Sequence, residues 1–139
     1  MTLYLPGRLL DEIRSHSVSV YPEECCGFLL GRLDDGYRVE EVLRAMNTAD
    51  GPRTVRYSID PGEIIAAERR ASSAGRTVIG YYHSHPDHPS VPSEFDRSHA
   101  WPSYSYLIMR VVRGEPADFR SWRLASEGLV FSREDVEIV

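Results

Sequence analysis

The chain contains no lysine; all 16 of its strongly basic residues are arginine. It therefore offers no side-chain amine for isopeptide attachment to itself. Cysteine is scarce as well, with only Cys25 and Cys26, side by side. Neighbouring strand residues point to opposite faces, so a bond between these two would be strained. Two free, buried thiols are expected, and with them a reducing, cytoplasmic setting. No apolar run approaches the length needed to span a bilayer. The first dozen residues hold Pro6, Arg8 and Asp11 rather than a leader-like stretch. A net charge of −5 argues against a general nucleic-acid or anionic-membrane surface. Repeats, low-complexity tracts and linkers are lacking too. The 139 residues read as a single domain, 1–139, long enough to bury about two thirds of the unfolded surface.

What is present is concentrated between Gly80 and Ala100, GYYHSHPDHPSVPSEFDRSHA. The residues leading into it, Thr77 to Tyr82, are apolar, aromatic and partly β-branched, which predicts a buried strand. On a continuing strand His83 and His85 point to one side, so two imidazoles reach one ion. Pro86, Pro89 and Pro92 then impose a loop. Ser93 to His99 reads as a short helix with Ser93 and Asp96 on one face. Ser-x-x-Asp is also the pattern of a helix N-terminus, with Ser93 as cap, and the two readings are compatible. Two His and one carboxylate leave a fourth tetrahedral position for water, the arrangement of a catalytic rather than a structural zinc.

Elsewhere the pattern predicts a strand at Thr2 to Leu5, then a helix entered at Pro6 and ending near His16 or Ser17. Cys25 to Leu33 and Tyr37 to Met46 form a hairpin around Asp34-Asp35-Gly36. Alternating Val55, Tyr57 and Ile59 predict a further strand. Asp60-Pro61-Gly62-Glu63 starts a helix with Ile64, Ala67, Ala71 and Ala74 on one face, and Gly75 ends it. Tyr104 to Val112 is expected as a central strand. Phe119 to Leu124 and Leu129 to Phe131 are expected as a hairpin about Ser126-Glu127-Gly128, with Asp135 to Val139 an edge strand or a frayed tail. The sum is an α+β domain with a mixed or antiparallel sheet flanked by helices.

The H-x-H-x7-S-x-x-D spacing resembles the signature of the JAMM (MPN+) metalloprotease family. That family also carries an upstream segment E-x-C-G-h-h-x-G, with h apolar. Here Glu24-Cys25-Cys26-Gly27-Phe28-Leu29-Leu30-Gly31 matches it. Both motifs occur in the family's order, and the resemblance covers nearly the whole chain. It implies an α-β-α sandwich around a curved, cytidine-deaminase-like sheet. It also implies Zn²⁺ held by His83, His85 and Asp96, with Glu24 as the proton-transferring carboxylate. The E-x-C-G offset selects Glu24 over Glu23. Ser93 is implied as donor to the carbonyl oxygen of the tetrahedral intermediate.

The chain resembles the short prokaryotic branch of that family. The implied partner is a small ubiquitin-like sulfur-carrier protein, cut after its C-terminal Gly-Gly, with the tail lying along a strand edge. Two other readings compete: a metal-free MPN-type scaffold, and a cupin-like metal dioxygenase, which the predicted helices disfavour. His99 is expected as an ordinary helix residue or a partner orienting Asp96. His88 is expected in an exposed loop, and Trp101 and Tyr104 in the core or at a groove edge.

Overall fold

The computed structural model describes residues 1–125 and 130–139. Its elements in chain order are β1 (Thr2–Leu5), α1 (Gly7–Ser19), β2 (Cys26–Leu33), β3 (Tyr37–Ala45), α2 (Pro61–Ser73), β4 (Thr77–Pro86), α3 (Glu94–His99), β5 (Ser105–Val112), β6 (Glu115–Leu124) and β7 (Phe131–Ile138). No helix among them is long and apolar enough to cross a membrane.

The strands form one mixed sheet in the order β1-β3-β2-β4-β5-β6-β7, closed by β7 pairing back onto β1. The pairs β1–β3, β1–β7 and β4–β5 are parallel; the others are antiparallel. The segment Asp135 to Val139 therefore neither frays nor stays an edge. Its residues run beside β1, with Thr2 opposite Asp135 and Leu5 opposite Ile138. The expected tip at Ser126 to Gly128, with Leu129, lies outside the described residues.

Strand alternation sorts the apolar residues into two cores. Leu9, Leu10 and Ile13 of α1 pack with Leu29, Ile79, Tyr82, Leu107 and Met109. Ala67 and Ala71 of α2 pack with Cys26, Phe28, Leu30 and Val78. The two helices thus lie on opposite faces of the sheet, an α+β layering. One helical turn separates the two alanines, and their small side chains let α2 sit close on the strands.

Helix α1 runs to Ser19, beyond the expected end, and Pro6 is its N-cap residue rather than part of the first turn. Asp60 caps α2 as expected, its side chain accepting from the Gly62 N–H. Val55 to Ile59 is not a strand. It is irregular chain: Val55 closes a turn on the Pro52 carbonyl at 3.2 Å, and residues 56–58 are held to their neighbour by Thr48 and by the Asn47 side chain, described below.

One irregularity positions the histidines. Leu29 pairs with Gly80 and Leu30 with Val78, leaving Ile79 as an extra residue in β4. The bulge shifts the phase of the strand. Val78 and Tyr81, three apart, both face the α2 core, while Ile79 and Tyr82 face the α1 core. Without the bulge, alternation would turn His83 and His85 toward α1. Gly80 permits it, because a Cβ there would lie 2.2 Å from the Ser105 carbonyl oxygen.

Candidate metal centre

His83 and His85 leave β4 on the α2 side and are fully buried. Their Nε2 atoms lie 3.1 Å apart. Asp96 enters from α3, with Oδ2 at 3.2 Å from His83 Nε2 and 3.1 Å from His85 Nε2. Helix α3 is held in place by a reciprocal cap: Ser93 Oγ accepts from the Asp96 N–H at 3.1 Å, and Asp96 Oδ2 accepts from the Ser93 N–H at 2.9 Å. Asp96 Oδ2 thus closes the helix cap and faces both imidazoles at once. Glu24, just before β2, completes a buried group with His83, His85 and Asp96, their ligand atoms all within 4.8 Å of one another. Glu23 is exposed and outside this group.

The donor set suits a cation. His85 Nδ1 lies 2.6 Å from the Pro89 carbonyl oxygen, which can only accept, so Nδ1 carries the hydrogen. In the neutral ring Nε2 then presents a lone pair to the Asp96 carboxylate at 3.1 Å, a repulsive contact that a shared cation turns into an attractive one. A tetrahedral ion with ligands at about 2.0–2.1 Å separates its ligand atoms by about 3.3 Å, close to this triangle. The residues present therefore fit a metal.

The electrostatics agree. Burial alone would raise the Asp96 carboxyl, but His83, His85 and the Ser93 N–H hold it well below the usual range. Burial pushes Glu24 up to about 9, with the Asp96 charge adding to it. Glu24 Oε1 is buried with no hydrogen-bond partner among the described residues. A carboxyl of this kind holds and releases a proton when a cation comes or goes beside it.

The E-x-C-G motif has a local explanation. Gly27 lies opposite Tyr82, and a Cβ on it would stand 2.3 Å from that ring and 2.4 Å from the Leu43 carbonyl oxygen. Cys25 and Cys26 are free and buried, as expected.

Three placements differ from or extend the sequence reading. His88 is half-buried rather than exposed. Its ring stacks on His85 at 4.1 Å, and its Nε2 lies 3.9 Å from Glu24 Oε2. His99 does not orient Asp96; it stacks on Phe95 and donates to the Phe95 carbonyl. Asn47 belongs to neither motif, yet its side chain reaches the centre's surroundings. Its Nδ2 donates to the carbonyls of Glu24 (3.0 Å) and Arg56 (2.9 Å), and its Oδ1 accepts from the Ala49 and Ser58 N–H groups. It ties the Glu24 backbone to the segment that carries Tyr57, whose ring stacks on His83 at 4.5 Å. No local pattern signals that role. Beside the centre opens a cleft of about 210 Å³ lined by Tyr57, Ile59, Ile64, Tyr81, Phe95 and Trp101. Trp101 is largely exposed at this groove edge, whereas Tyr104 packs against Tyr81.

The sequence profile described as "Prokaryotic homologs of the JAB domain" matches residues 6–125. The chain is 40% identical over 101 residues to a desampylase of Haloferax volcanii, covering 72% of this chain and 71% of that one. It is 33% identical over 108 residues to a probable TtuB-protein conjugate cleaving protease of Thermus thermophilus, covering 78% and 70%. The solution structure of a Desulfitobacterium hafniense protein superposes with a TM-score of 0.85 at 31% identity, covering 99% and 92%. A sheet, an ordered pair of motifs and a family profile that coincide over most of the chain leave one conclusion: it belongs to the prokaryotic homologs of the JAB domain, as a peptidase of the JAMM type.

Proposed function

We propose that the chain is a zinc-dependent peptidase that hydrolyses the amide bond after the C-terminal Gly-Gly of a small ubiquitin-like, sulfur-carrier-type protein. The observation that carries this reading is the buried group of Glu24, His83, His85 and Asp96 at the head of an aromatic cleft. The names of the Haloferax and Thermus relatives support the substrate class. His83, His85 and Asp96 would hold the ion. When bound, zinc supplies Lewis acidity, which brings the pKa of water down to about 7 and polarises a carbonyl.

The chain's own groups do the rest. Glu24 takes the proton of the attacking water at its carboxylate and passes it to the departing amine nitrogen, so the proton lost at one atom is gained at the other. The Ser93 hydroxyl uses its oxygen for the helix cap and keeps its hydrogen to donate to the carbonyl oxygen as charge develops there.

The described sheet is closed and leaves no free edge strand for an incoming tail. The segment 56–59, though not a strand, offers backbone groups instead. Arg56 and Ser58 bond through their backbone to Asn47 and Thr48. The N–H and C=O groups of Tyr57 and Ile59 have no backbone partner among the described residues and, by alternation, turn the other way. An extended tail can pair with them, and two glycines suit the close approach. The same reading keeps the cytidine-deaminase-like layering and a cytoplasmic location, where two free thiols are stable.

The test incubates zinc-loaded protein with a bacterial ubiquitin-like sulfur carrier extended by a few residues past Gly-Gly, followed by intact mass. A product ending at the terminal glycine, absent with Glu24→Gln, is the expected result. An intact substrate despite stoichiometric zinc would overturn the substrate class.

A further inference from the structure

The loop between the second histidine and α3 contains Pro86, Pro89 and Pro92, none of which has an N–H to tie it down. Yet the Pro89 carbonyl must be held accurately, because it accepts the Nδ1 hydrogen of His85 at 2.6 Å and so decides which ring nitrogen is bare. Two anchors flank it. On one side Asp87 is fixed by its N–H to the Val111 carbonyl (2.6 Å), by the Arg113 N–H to its Oδ1 (2.8 Å), and by the Tyr21 hydroxyl. On the other side is Ser90, 1% exposed. Its hydroxyl donates to Asp118 Oδ2 at 2.6 Å, and its carbonyl accepts from the Trp122 indole N–H at 3.0 Å. Asp118 in turn receives Arg110 at 3.4 Å.

Both partners come from β6, 28 and 32 residues along the chain from Ser90. Asp118 sits where β6 carries an extra residue: Phe119 pairs with Met109 and Pro116 with Val111, so three steps of β6 match two of β5. Asp118 and Trp122 are four apart on β6, and both side chains reach Ser90, so one strand grips one residue of the loop.

We propose that Ser90, Asp118 and Trp122 form a clamp of positioning residues that seats the Pro89 carbonyl and thereby aims the His85 Nε2 lone pair at the metal position. The inference rests on the metal reading of the site. Partners that orient a metal-bound imidazole are worth about 10–100-fold in metal affinity, and the clamp acts one step further out through Pro89.

The test uses the full chain and two readouts. The first is the Nδ1–H proton resonance of His85 in ¹⁵N-histidine-labelled, metal-free protein. The second is zinc affinity by competition with a chromogenic chelator, with the visible spectrum of the cobalt form beside it. In Ser90→Ala/Trp122→Phe the resonance should broaden or move and zinc binding should weaken by about 10-fold or more. Asp118→Asn, which keeps an acceptor oxygen, should stay within a few-fold of wild type, while Asp118→Ala should not. Ile13→Val, in the α1 core and touching none of the clamp's hydrogen bonds, controls for general softening. An unmoved His85 resonance in the double variant overturns the clamp, as does a loss of zinc affinity equalled by Ile13→Val. Wild-type protein that takes up no zinc sinks the metal reading and the clamp with it; wild type and double variant that bind equally sink the clamp alone.

Discussion

Ser93 serves both the architecture and the proposed chemistry, and substitutions at this one position separate the two. Its oxygen accepts the Asp96 N–H at 3.1 Å, which caps a helix of only six residues that carries Asp96. Its hydrogen has no acceptor among the described residues. Ser93→Ala removes both functions. Losing the cap costs about 1 kcal/mol. Losing an oxyanion donor costs about 10²–10³ in kcat, or roughly 3–4 kcal/mol. Ser93→Gly gives up only a few tenths of a kcal/mol as a cap but loses the donor entirely. Ser93→Thr keeps both. The expected order in kcat is therefore wild type near Thr, with Gly and Ala together about 100-fold or more below. In melting temperature the order differs, with Ala lowest and Gly close to wild type. Zinc content should stay stoichiometric throughout, because Asp96 remains. The assay is steady-state cleavage of the extended carrier, with metal content and thermal unfolding measured on the same samples. Activity that follows melting temperature, with Gly restored to wild-type rate, would reduce Ser93 to a cap and refute the reasoning.

Asp96→Ala should abolish metal binding, since its Oδ2 lies within 3.2 Å of both imidazoles; equilibrium dialysis showing retained stoichiometric zinc would contradict this. Glu24→Gln should keep the metal and lose turnover by about 10² or more, and full activity would remove Glu24 from the chemistry. Gly27→Ala places a methyl group 2.3 Å from the Tyr82 ring and 2.4 Å from a backbone oxygen. It should lower stability by at least about 1–3 kcal/mol in urea unfolding; a wild-type midpoint would mean the two strands separate freely. His16 is buried against the Tyr82 hydroxyl at 2.7 Å, and burial, aided by the Arg44 charge, lowers its pKa from 6.5 to about 4. The unfolded chain takes up this proton first, so stability is full above pH 6.5 and falls as pH drops toward 4, by about 3 kcal/mol at most. His16→Phe should flatten that part of the urea-midpoint profile, and an unchanged slope would assign the acid sensitivity elsewhere.

Several features were legible because they are local. The strand leading into His83, the Asp60 cap, the Asp34–Gly36 turn and the Ser93 helix each announce themselves within a few residues. Where the reading failed, the cause lies in what stands opposite. Val55, Tyr57 and Ile59 do alternate, but the chain beside them satisfies only one edge, and does so largely through the Asn47 side chain, so no ladder forms. His88 lies in a proline-rich loop that looks exposed until the loop folds back over His85. The acidic C-terminal segment becomes a strand only because β1 waits beside it.

The sequence by itself determined which groups are available and at what spacing: two imidazoles on alternate positions, a serine and an aspartate one helical turn apart, and a glutamate three residues before a glycine. Spacing along a chain controls direction over a few residues and no further. The tertiary structure decided the rest. The extra residue at Ile79 chose the face on which the histidines emerge. The cap on α3 brought Asp96 to within 3.2 Å of both rings. Asn47 held Glu24 beside them, and β6 reached back to steady Pro89. These contacts join residues 11 or more positions apart, beyond the reach of any local pattern, and such pairings exist only in the folded chain.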